Sequence, residues 1–246
     1  MTSRPWAALT VASLLLVACS DSPASDTATT AAPASSTAAP KTTLALAPAA
    51  FTVQPGTEQV AIFSAAPSTE LSVVQGAATV ATGVVDEQGS LLFRNLAPGE
   101  GYRITSATEA SEPFAVWSPT DVPDPALYTE QQTLLPDGTG FGYIVTRDGT
   151  TLSANVILPG PVENGPYPTV VEYSGYQPSD PGSAQLAQLY TAQGFAYVGV
   201  NMRGTGCSGG SYRFFETVQS LDGYDAIEAV AAQPWVKDNQ VGMVGI

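Results

Sequence analysis

Two neighbouring stretches decide the fold: Phe195-Ala196-Tyr197-Val198-Gly199-Val200, and the run Arg203-Gly204-Thr205-Gly206-Cys207-Ser208-Gly209-Gly210 that follows it. The first is short and mostly apolar, which is typical of a strand buried on both faces. The second is rich in glycine and predicts a loop. A helical pattern then runs over 220–232, and Pro234 closes it. A second apolar run over 240–246 predicts another buried strand.

The pattern over 220–232 also predicts how this helix packs. Asp222 and Asp225 lie near its N-terminal end, where the helix dipole favours acidic side chains. Apolar residues recur at steps of three and four, which predicts a buried face made of Leu221, Tyr224, Ile227, Val230 and Ala231.

The residues before this region predict the rest of the sheet. Runs at 141–147 and 151–158 flank Asp148-Gly149, a strong hairpin signal. A third strand is predicted at 168–173, and a helix at 183–193 that Gly194 caps. The predicted fold class is therefore α/β, and the order of the predicted strands and helices is that of the first half of an α/β-hydrolase sheet. The last run ends in Gly-Ile, the lead-in to a nucleophile elbow G-x-S-x-G, in which the serine would be the next residue.

A small all-β, sandwich-like module is predicted at 51–117, before a Pro-rich connector at 118–136 and the partial hydrolase domain at 137–246. The run from Gly83 to Tyr102 resembles repeats of transthyretin-like and related immunoglobulin-like modules on secreted enzymes. Two interpretations stay open for the module. It is either a structural spacer or a binder of carbohydrate or cell wall.

The N-terminus has the pattern of a lipoprotein signal peptide over residues 1–18. Arg4 is its positive region, and the apolar stretch 6–18 has thirteen residues, too few for a transmembrane helix. Leu16-Val17-Ala18-Cys19 resembles the lipobox of bacterial lipoproteins, which implies a lipid on Cys19; ordinary secretion is the alternative. Residues 19–50 are rich in Ser, Thr, Ala and Pro and predict a flexible tether. We therefore expect the protein on the outer face of the cell membrane, or secreted.

Charge and composition exclude several functions. The formal charge is -14, and the chain has eight Lys and Arg residues, so binding to nucleic acid is not expected. The sequence contains no histidine, so it completes neither a Ser-His-Asp triad nor a histidine metal site. We expect no cofactor and no metal.

Four motifs in order resemble one enzyme group, the X-prolyl dipeptidyl-peptidase and cocaine-esterase-like serine hydrolases. They are the runs 147–152, 165–171 and 203–210 and the stretch from Asp222 to Trp235. In that family a nucleophilic serine follows the strand that matches 241–246, and the acid and the histidine come later. The resemblance implies hydrolysis of acyl, ester or X-Pro-type peptide bonds in small substrates through an acyl-enzyme. It also implies that residues 1–246 are a fragment without activity of their own.

The resemblance places one catalytic group inside these residues. In the family, a tyrosine hydroxyl in the loop after the third strand donates a hydrogen bond to the oxyanion. The matching position is Tyr176, in Tyr173-Ser174-Gly175-Tyr176, and Tyr173 is the alternative in register. The other interpretation of Tyr176 is an aromatic residue that packs on the sheet.

Several other residues have two interpretations. Gly204-x-Gly206-x-x-Gly209, with Asp225 downstream, also fits a dinucleotide fingerprint, though a weak one in this position. Cys207 is either in a disulfide with a later cysteine or a buried free thiol. Arg203 either binds a substrate carboxylate or braces its loop through Asp222, Asp225 or Glu216. Asn201 stands where the family has Asp, and Trp235 is predicted to be core.

Two further functions stay open beside the hydrolase. One is a non-catalytic surface lipoprotein that binds a cell-envelope component or a partner. The other is a truncated product without function, since a last strand left as an apolar edge promotes aggregation.

Overall fold

The elements follow one another along the chain as the sequence predicts, with a β-rich part before an α/β part. The computed structural model describes residues 46–131, 134, 140–182 and 185–244. Cys19, the signal peptide and most of the predicted tether lie outside these residues. The strands are β1 (Ala47–Pro48), β2 (Thr52–Gly56), β3 (Gln59–Phe63), β4 (Glu70–Gln75), β5 (Ala78–Val84), β6 (Leu91–Arg94), β7 (Gly99–Thr105), β8 (Glu109–Ala110), β9 (Phe114–Val116), β10 (Gly140–Val145), β11 (Thr151–Ile157), β12 (Tyr167–Ser174), β13 (Ala196–Asn201) and β14 (Val236–Val244). The helices are α1 (Ala126–Thr129), α2 (Gln185–Thr191) and α3 (Thr217–Ala231), with a 3-10 turn at Val162–Asn164.

Strands β1 to β9 form the predicted β-sandwich. One sheet has the order β1-β8-β7-β4-β5, with β9 on β7, and the other has the order β2-β3-β6. Apolar side chains from both sheets meet in one core that includes Val60, Ile62, Leu71, Phe93 and Ile104. The sequence missed β2, which contains Pro55, because proline lacks the N–H that a central strand needs. Strand β2 lies at the edge of its three-stranded sheet, where proline is tolerated.

The α/β part contains a third sheet, which has the order β10-β11-β13-β12-β14. Strands β10 and β11 form the predicted hairpin, with Val145 paired to Thr151 on either side of the turn. Strand β11 is antiparallel to β13, and β13, β12 and β14 are parallel. This order confirms the predicted first half of an α/β-hydrolase sheet.

The core of this sheet explains why the apolar runs form strands. Every residue of β13 is buried, as the continuous run 195–200 predicts for a strand covered on both faces. In β11, Leu152, Ala154 and Val156 alternate along the strand and are all buried in the same core. Trp235 belongs to this core, as predicted.

Helix α3 packs through a different face from the one predicted. Tyr224 is exposed, while Asp222, Gly223, Asp225, Ala226 and Ala229 are buried. The acidic residues are buried because arginines lie opposite them, and the small residues let the helix approach the sheet closely. A Cβ on Gly223 would lie 3.1 Å from the ring of Tyr173. The predicted apolar face is therefore correct at Val230, which is buried in the core, but wrong at Tyr224.

The start of α3 also differs from the prediction. The helix begins at Thr217, three residues before the predicted Ser220. Gln219 stabilises this first turn, because its Oε1 accepts the backbone N–H of Glu216 at 3.3 Å.

The β-sandwich contacts the loops at one edge of the α/β sheet. Gln54 Nε2 donates to the carbonyl of Asp148 in the β10–β11 turn at 2.8 Å. Arg94 of β6 forms an ion pair with Glu216 at 2.8 Å and donates to Ser211 Oγ at 3.0 Å. The sandwich therefore supports the segment that leads from β13 to α3.

The predicted connector contains one turn of helix, α1, in which Tyr128 is buried. Among the residues that the structure describes, no helix is long and apolar enough to cross a membrane.

Candidate active site

The carboxyl ends of three parallel strands meet at one edge of the α/β sheet. Ser174 at the end of β12 pairs with Asn201 at the end of β13, and Glu172 pairs with Val244 at the end of β14. Loops after these strands therefore start side by side. In open α/β sheets this edge is where ligands bind.

Tyr176 lies in the loop after β12, as predicted for an oxyanion donor. Its side chain is 83% exposed, and its hydroxyl bonds to none of the residues that the structure describes. The packing interpretation of Tyr176 therefore does not fit. No acceptor from the described ranges occupies its hydroxyl, which is open to solvent.

Tyr173 has a structural role instead. Its hydroxyl donates to the carbonyl of Gln219 in α3 at 2.8 Å, and burial raises the pKa of Tyr173. The ring also packs on Gly223. Of the two tyrosines, Tyr173 is therefore bonded within the fold and Tyr176 is exposed, and the catalytic role of Tyr176 stays a prediction.

Loss of the hydroxyl is expected to affect stability strongly at Tyr173 and little at Tyr176. Tyr173→Phe is expected to lower the free energy of unfolding by about 1–2 kcal/mol, because the carbonyl of Gln219 loses a buried donor. Tyr176→Phe is expected to change it by less than about 0.5 kcal/mol. Urea unfolding followed by circular dichroism measures both values. Equal effects would contradict this division of roles.

The loop after β13 is held by backbone bonds and by β11. Gly204 N–H donates to the carbonyl of Gly209 at 2.8 Å, and Gly209 N–H donates to the carbonyl of Thr151 at 2.7 Å. Gly204 has φ of 70°, and a Cβ there would lie 2.1 Å from the backbone nitrogen of Tyr212. Only glycine fits this position, so the glycines shape a tight turn.

Arg203 braces this loop from inside. Its guanidinium contacts Asp222 at 2.5 Å and Asp148 at 3.0 Å, and all three side chains are buried. Burial alone lowers the pKa of Arg203, but its bonds to both carboxylates raise that pKa above the usual value. Two carboxylates share one guanidinium. For Asp148, burial favours the neutral form, but the nearby Arg203 outweighs it and lowers the pKa of this carboxyl. For Asp222, burial is the larger effect and raises the pKa to about 6, although Arg203 acts in the opposite direction.

A second buried network joins the connector to the hairpin and α3. Arg147 bonds to Asp225 at 2.7 Å, and Tyr128 of α1 donates to the same carboxylate at 2.7 Å. Asp225 therefore has no free acceptor for a ribose, which argues against the dinucleotide interpretation. Glu216 pairs with Arg94, so of the three partners expected for Arg203 only Asp222 is correct. The sequence missed Asp148, although it directly follows Arg147 in a quoted motif.

Two further predictions concern single residues of the loop. Cys207 is exposed and forms no disulfide with any residue of the described ranges, so the buried-thiol interpretation is wrong. Asn201 is fully buried, and its Oδ1 accepts the N–H of Ser179 at 2.9 Å, which fixes the loop that carries Tyr176. Asn201 therefore has a structural role.

No group of three metal-binding side chains occurs in the part of the chain that the structure describes. The site instead offers the exposed hydroxyl of Tyr176, in the loop after β12, the strand that pairs with β14. A donor aimed at a developing oxyanion is the arrangement that acyl transfer needs. The sheet order is that of the first half of an α/β-hydrolase fold.

A comparison with protein-family models finds a match to the second part of the chain. Residues 148–246 match the model described as X-Pro dipeptidyl-peptidase (S15 family). The resemblance inferred from the four motifs is thus confirmed. No curated protein matches the chain.

Solved structures that resemble the chain include three hydrolases. An α-amino acid ester hydrolase is 20% identical (TM-score 0.37), and the match covers 44% of this chain and 20% of that one. A CocE/NonD family hydrolase from Staphylococcus aureus is 22% identical (TM-score 0.37), covering 42% and 22%. Est1E from Butyrivibrio proteoclasticus, with ferulic acid bound, is 18% identical (TM-score 0.36), covering 42% and 41%. The matched part spans between 20% and 41% of the length of these three chains.

Proposed function

We propose that residues 1–246 are the N-terminal part of an exported serine hydrolase that cleaves acyl, ester or X-Pro-type peptide bonds through a covalent acyl-enzyme. The observation that carries the proposal is the position of Tyr176 in the loop after β12, the strand that pairs with β14, with a hydroxyl that bonds to none of the described residues. In this proposal the nucleophilic serine follows β14, and the backbone N–H of the residue after that serine is the second oxyanion donor.

The mechanism assigns a role to each part of the site. The serine attacks the substrate carbonyl, a histidine accepts the serine proton, and Tyr176 donates to the oxyanion that forms. The Arg203 network holds the loop after β13, and Asn201 holds the loop after β12. Residues 1–246 contain no histidine, so we expect this part alone to be inactive.

One experiment tests the proposed catalysis. The coding region is read beyond the codon for Ile246, and the encoded protein is treated with a fluorophosphonate probe that labels activated serines. The proposal expects Ser-x-Gly or Ser-x-x-Gly directly after Ile246 and labelling of that serine. A stop codon, an unrelated residue, or an unlabelled serine would instead favour the non-catalytic lipoprotein.

The same protein tests the role of Tyr176. Tyr176→Phe is expected to slow labelling or ester hydrolysis by about 100- to 1,000-fold, which is the usual cost of losing one oxyanion donor. Tyr143→Phe, on the half-exposed β10 strand, is the matched control and is expected to leave the rate unchanged. If both variants keep the full rate, Tyr176 is not the donor.

The proposal also includes a lipid anchor on Cys19, based on the lipobox pattern. Cys19→Ala is expected to abolish incorporation of labelled palmitate and to move the protein from the membrane fraction to the soluble fraction. Cys207→Ala, which removes the exposed thiol, is the control and leaves both unchanged. Palmitate retained by the Cys19 variant would contradict the anchor.

A further inference from the structure

A cavity of about 390 Å³ lies between the β-sandwich and the loops of the α/β sheet. One wall is the outer face of the sheet β2-β3-β6, where Ala61 is paired with Leu92. The other wall is the turn between β10 and β11 together with residues 209–211 of the loop after β13. Ligand pockets are commonly of this size and often lie where two domains meet. Tyr176 does not line this cavity, so it is distinct from the candidate active site.

One side chain in the cavity wall is a nearly buried amide without a partner. Gln59 on β3 is 9% exposed and alternates with Val60, which points into the sandwich core. A Cβ on Gly56 would lie 3.4 Å from Gln59 Cγ and 3.0 Å from Asp148 Oδ2, so the side chain extends beside this carboxylate. Its amide bonds to none of the residues that the structure describes, and neither amide atom is fully enclosed. A polar ligand in the cavity would therefore supply the hydrogen bonds that this amide lacks.

Further neutral polar groups line the same space. Gln54 Nε2 donates to the carbonyl of Asp148 at 2.8 Å, and its Oε1 accepts from none of the described residues. Ser211 Oγ accepts from Arg94 at 3.0 Å, which leaves its hydroxyl hydrogen for another acceptor. Thr151 is exposed at the start of β11 and adds a second hydroxyl. Amides and hydroxyls both donate and accept, so they match a ligand whose groups do the same.

The charges around the cavity argue against an ionic ligand. Arg203 in its wall already bonds to two carboxylates, of which that of Asp148 lies 3.0 Å away. The described lining contains no other Lys or Arg, so no free cation is present to bind a phosphate or a carboxylate. Asp86 lies exposed at the rim, and its Oδ1 accepts two backbone N–H groups of its own turn at 2.7 and 3.0 Å. Attraction between an exposed carboxylate and a cation is weak in water.

An apolar strip runs along the sheet side of the cavity. It consists of Ala61, Phe63 and Leu92, which face outward because Ile62 and Phe93 point into the sandwich core. Phe63, at the end of β3, is 37% exposed. A sugar ring has apolar C–H faces and hydroxyls around its edge, so an apolar strip beside amides and hydroxyls is complementary to it.

We propose that this cavity binds a neutral saccharide ring. One face of the ring lies on the apolar strip, and the hydroxyls bond to the amides of Gln59 and Gln54 and to Thr151. This assigns a ligand site to the interface between the β-sandwich and the α/β part, and it makes the sandwich a binding module instead of a spacer. The inference goes beyond the proposed hydrolysis and does not depend on it.

The test titrates the whole encoded protein with three neutral probes, the methyl β-glycosides of glucose, galactose and mannose. At least one is expected to bind with a dissociation constant in the millimolar range, as usual for so small a ligand, measured by saturation-transfer NMR. Cyclohexylmethanol has a ring of the same size but one hydroxyl, and it is expected to bind at least about tenfold more weakly. The proposal is overturned if none of the three glycosides binds, or if cyclohexylmethanol binds equally well.

A variant of the unpaired amide locates the binding. Gln59→Leu is expected to weaken glycoside binding about tenfold, the cost of about one hydrogen bond. Its melting temperature is expected to stay equal or to rise, because leucine needs no polar partner. Gln75→Leu makes the same change on β4, outside the cavity, and is the matched control that keeps wild-type affinity. Full affinity in Gln59→Leu would place the sugar elsewhere and reject this site.

The apolar strip gives a second readout with little risk to folding. Phe63→Ser is expected to weaken glycoside binding about fivefold through loss of the ring contact. Val80→Ser, at a similarly exposed apolar residue of β5, is its control and leaves the affinity unchanged. If Phe63→Ser binds as well as wild type, the sugar does not lie on this strip and the proposal fails.

The outcome is independent of the test for catalysis, because the three glycosides contain no ester or peptide bond. Fluorophosphonate labelling without glycoside binding would retain the hydrolase and reject the saccharide site. Glycoside binding that depends on Gln59, without labelling, would retain the saccharide site and reject the serine hydrolase.

Discussion

Replacing Arg203 by methionine is expected to lower the free energy of unfolding by about 3–5 kcal/mol, the usual cost of breaking a buried ion pair from one side. The guanidinium is buried and contacts both Asp148 and Asp222. Without it, two carboxylates stay buried with no positive partner. Urea unfolding at pH 7 measures the loss.

The pH dependence of this loss identifies its cause. Without Arg203 the folded-state pKa of both carboxyls rises above the unfolded value, so the folded variant binds more protons than the unfolded chain in weakly acidic solution. The stability of the variant therefore falls as pH rises, and its deficit relative to wild type is smaller at pH 5 than at pH 7. A deficit that does not change with pH would contradict the ionic explanation.

Arg94→Met is the matched control for charge and side-chain length. Arg94 also pairs with a carboxylate, that of Glu216, but both side chains remain partly exposed. Exposed pairs contribute about 0–1 kcal/mol, so the control is expected to lose no more than that. If Arg94→Met costs as much as Arg203→Met, burial does not determine the energy of these pairs.

Gly199→Ala is expected to destabilise the protein by about 3 kcal/mol, the upper end of the usual range for overpacking. A Cβ on Gly199 would lie 2.0 Å from the carbonyl oxygen of Pro178. This contact is with backbone, so a side-chain rotation cannot relieve it. Pro178 belongs to the loop that carries Tyr176, so the methyl group would push this loop away from β13. The loss is measured by urea unfolding.

Gly242→Ala is the control for this substitution, because Gly242 lies in β14, another parallel strand of the same sheet. The nearest side-chain atom to its Cβ would be Val170 Cγ1, at an ordinary contact distance of 3.7 Å. Alanine costs less conformational entropy than glycine in a strand, so stability is expected to stay equal or to rise by up to about 1 kcal/mol. Equal losses at both positions would contradict the steric explanation.

Local patterns predicted most strands of the three sheets, because a strand that is buried on one or two faces has a recognisable apolar pattern in its sequence. The continuous run before the glycine-rich loop predicted β13, and Asp148-Gly149 predicted the hairpin. The same method failed for α3. Its apolar periodicity suggested a face through Tyr224, but the helix packs through Asp222 and Asp225.

The failure has a physical reason. A periodicity argument assumes that charged residues face solvent, and the assumption breaks down when each carboxylate meets a buried guanidinium. Arg203 is 19 positions from Asp222, and Arg147 is 78 positions from Asp225. Such pairs form only after the strands have assembled in the order of the sheet, so no local pattern contains them.

The sequence by itself determined the α/β class, the hairpin, the glycine loop, the family motifs and the candidate Tyr176, because each of these is encoded in a short run of residues. Only the tertiary structure decided that Tyr173 is bonded to α3 while Tyr176 is free, and that Arg203 joins Asp148 to Asp222. These facts depend on which elements lie side by side, and that is settled by packing across the whole sheet.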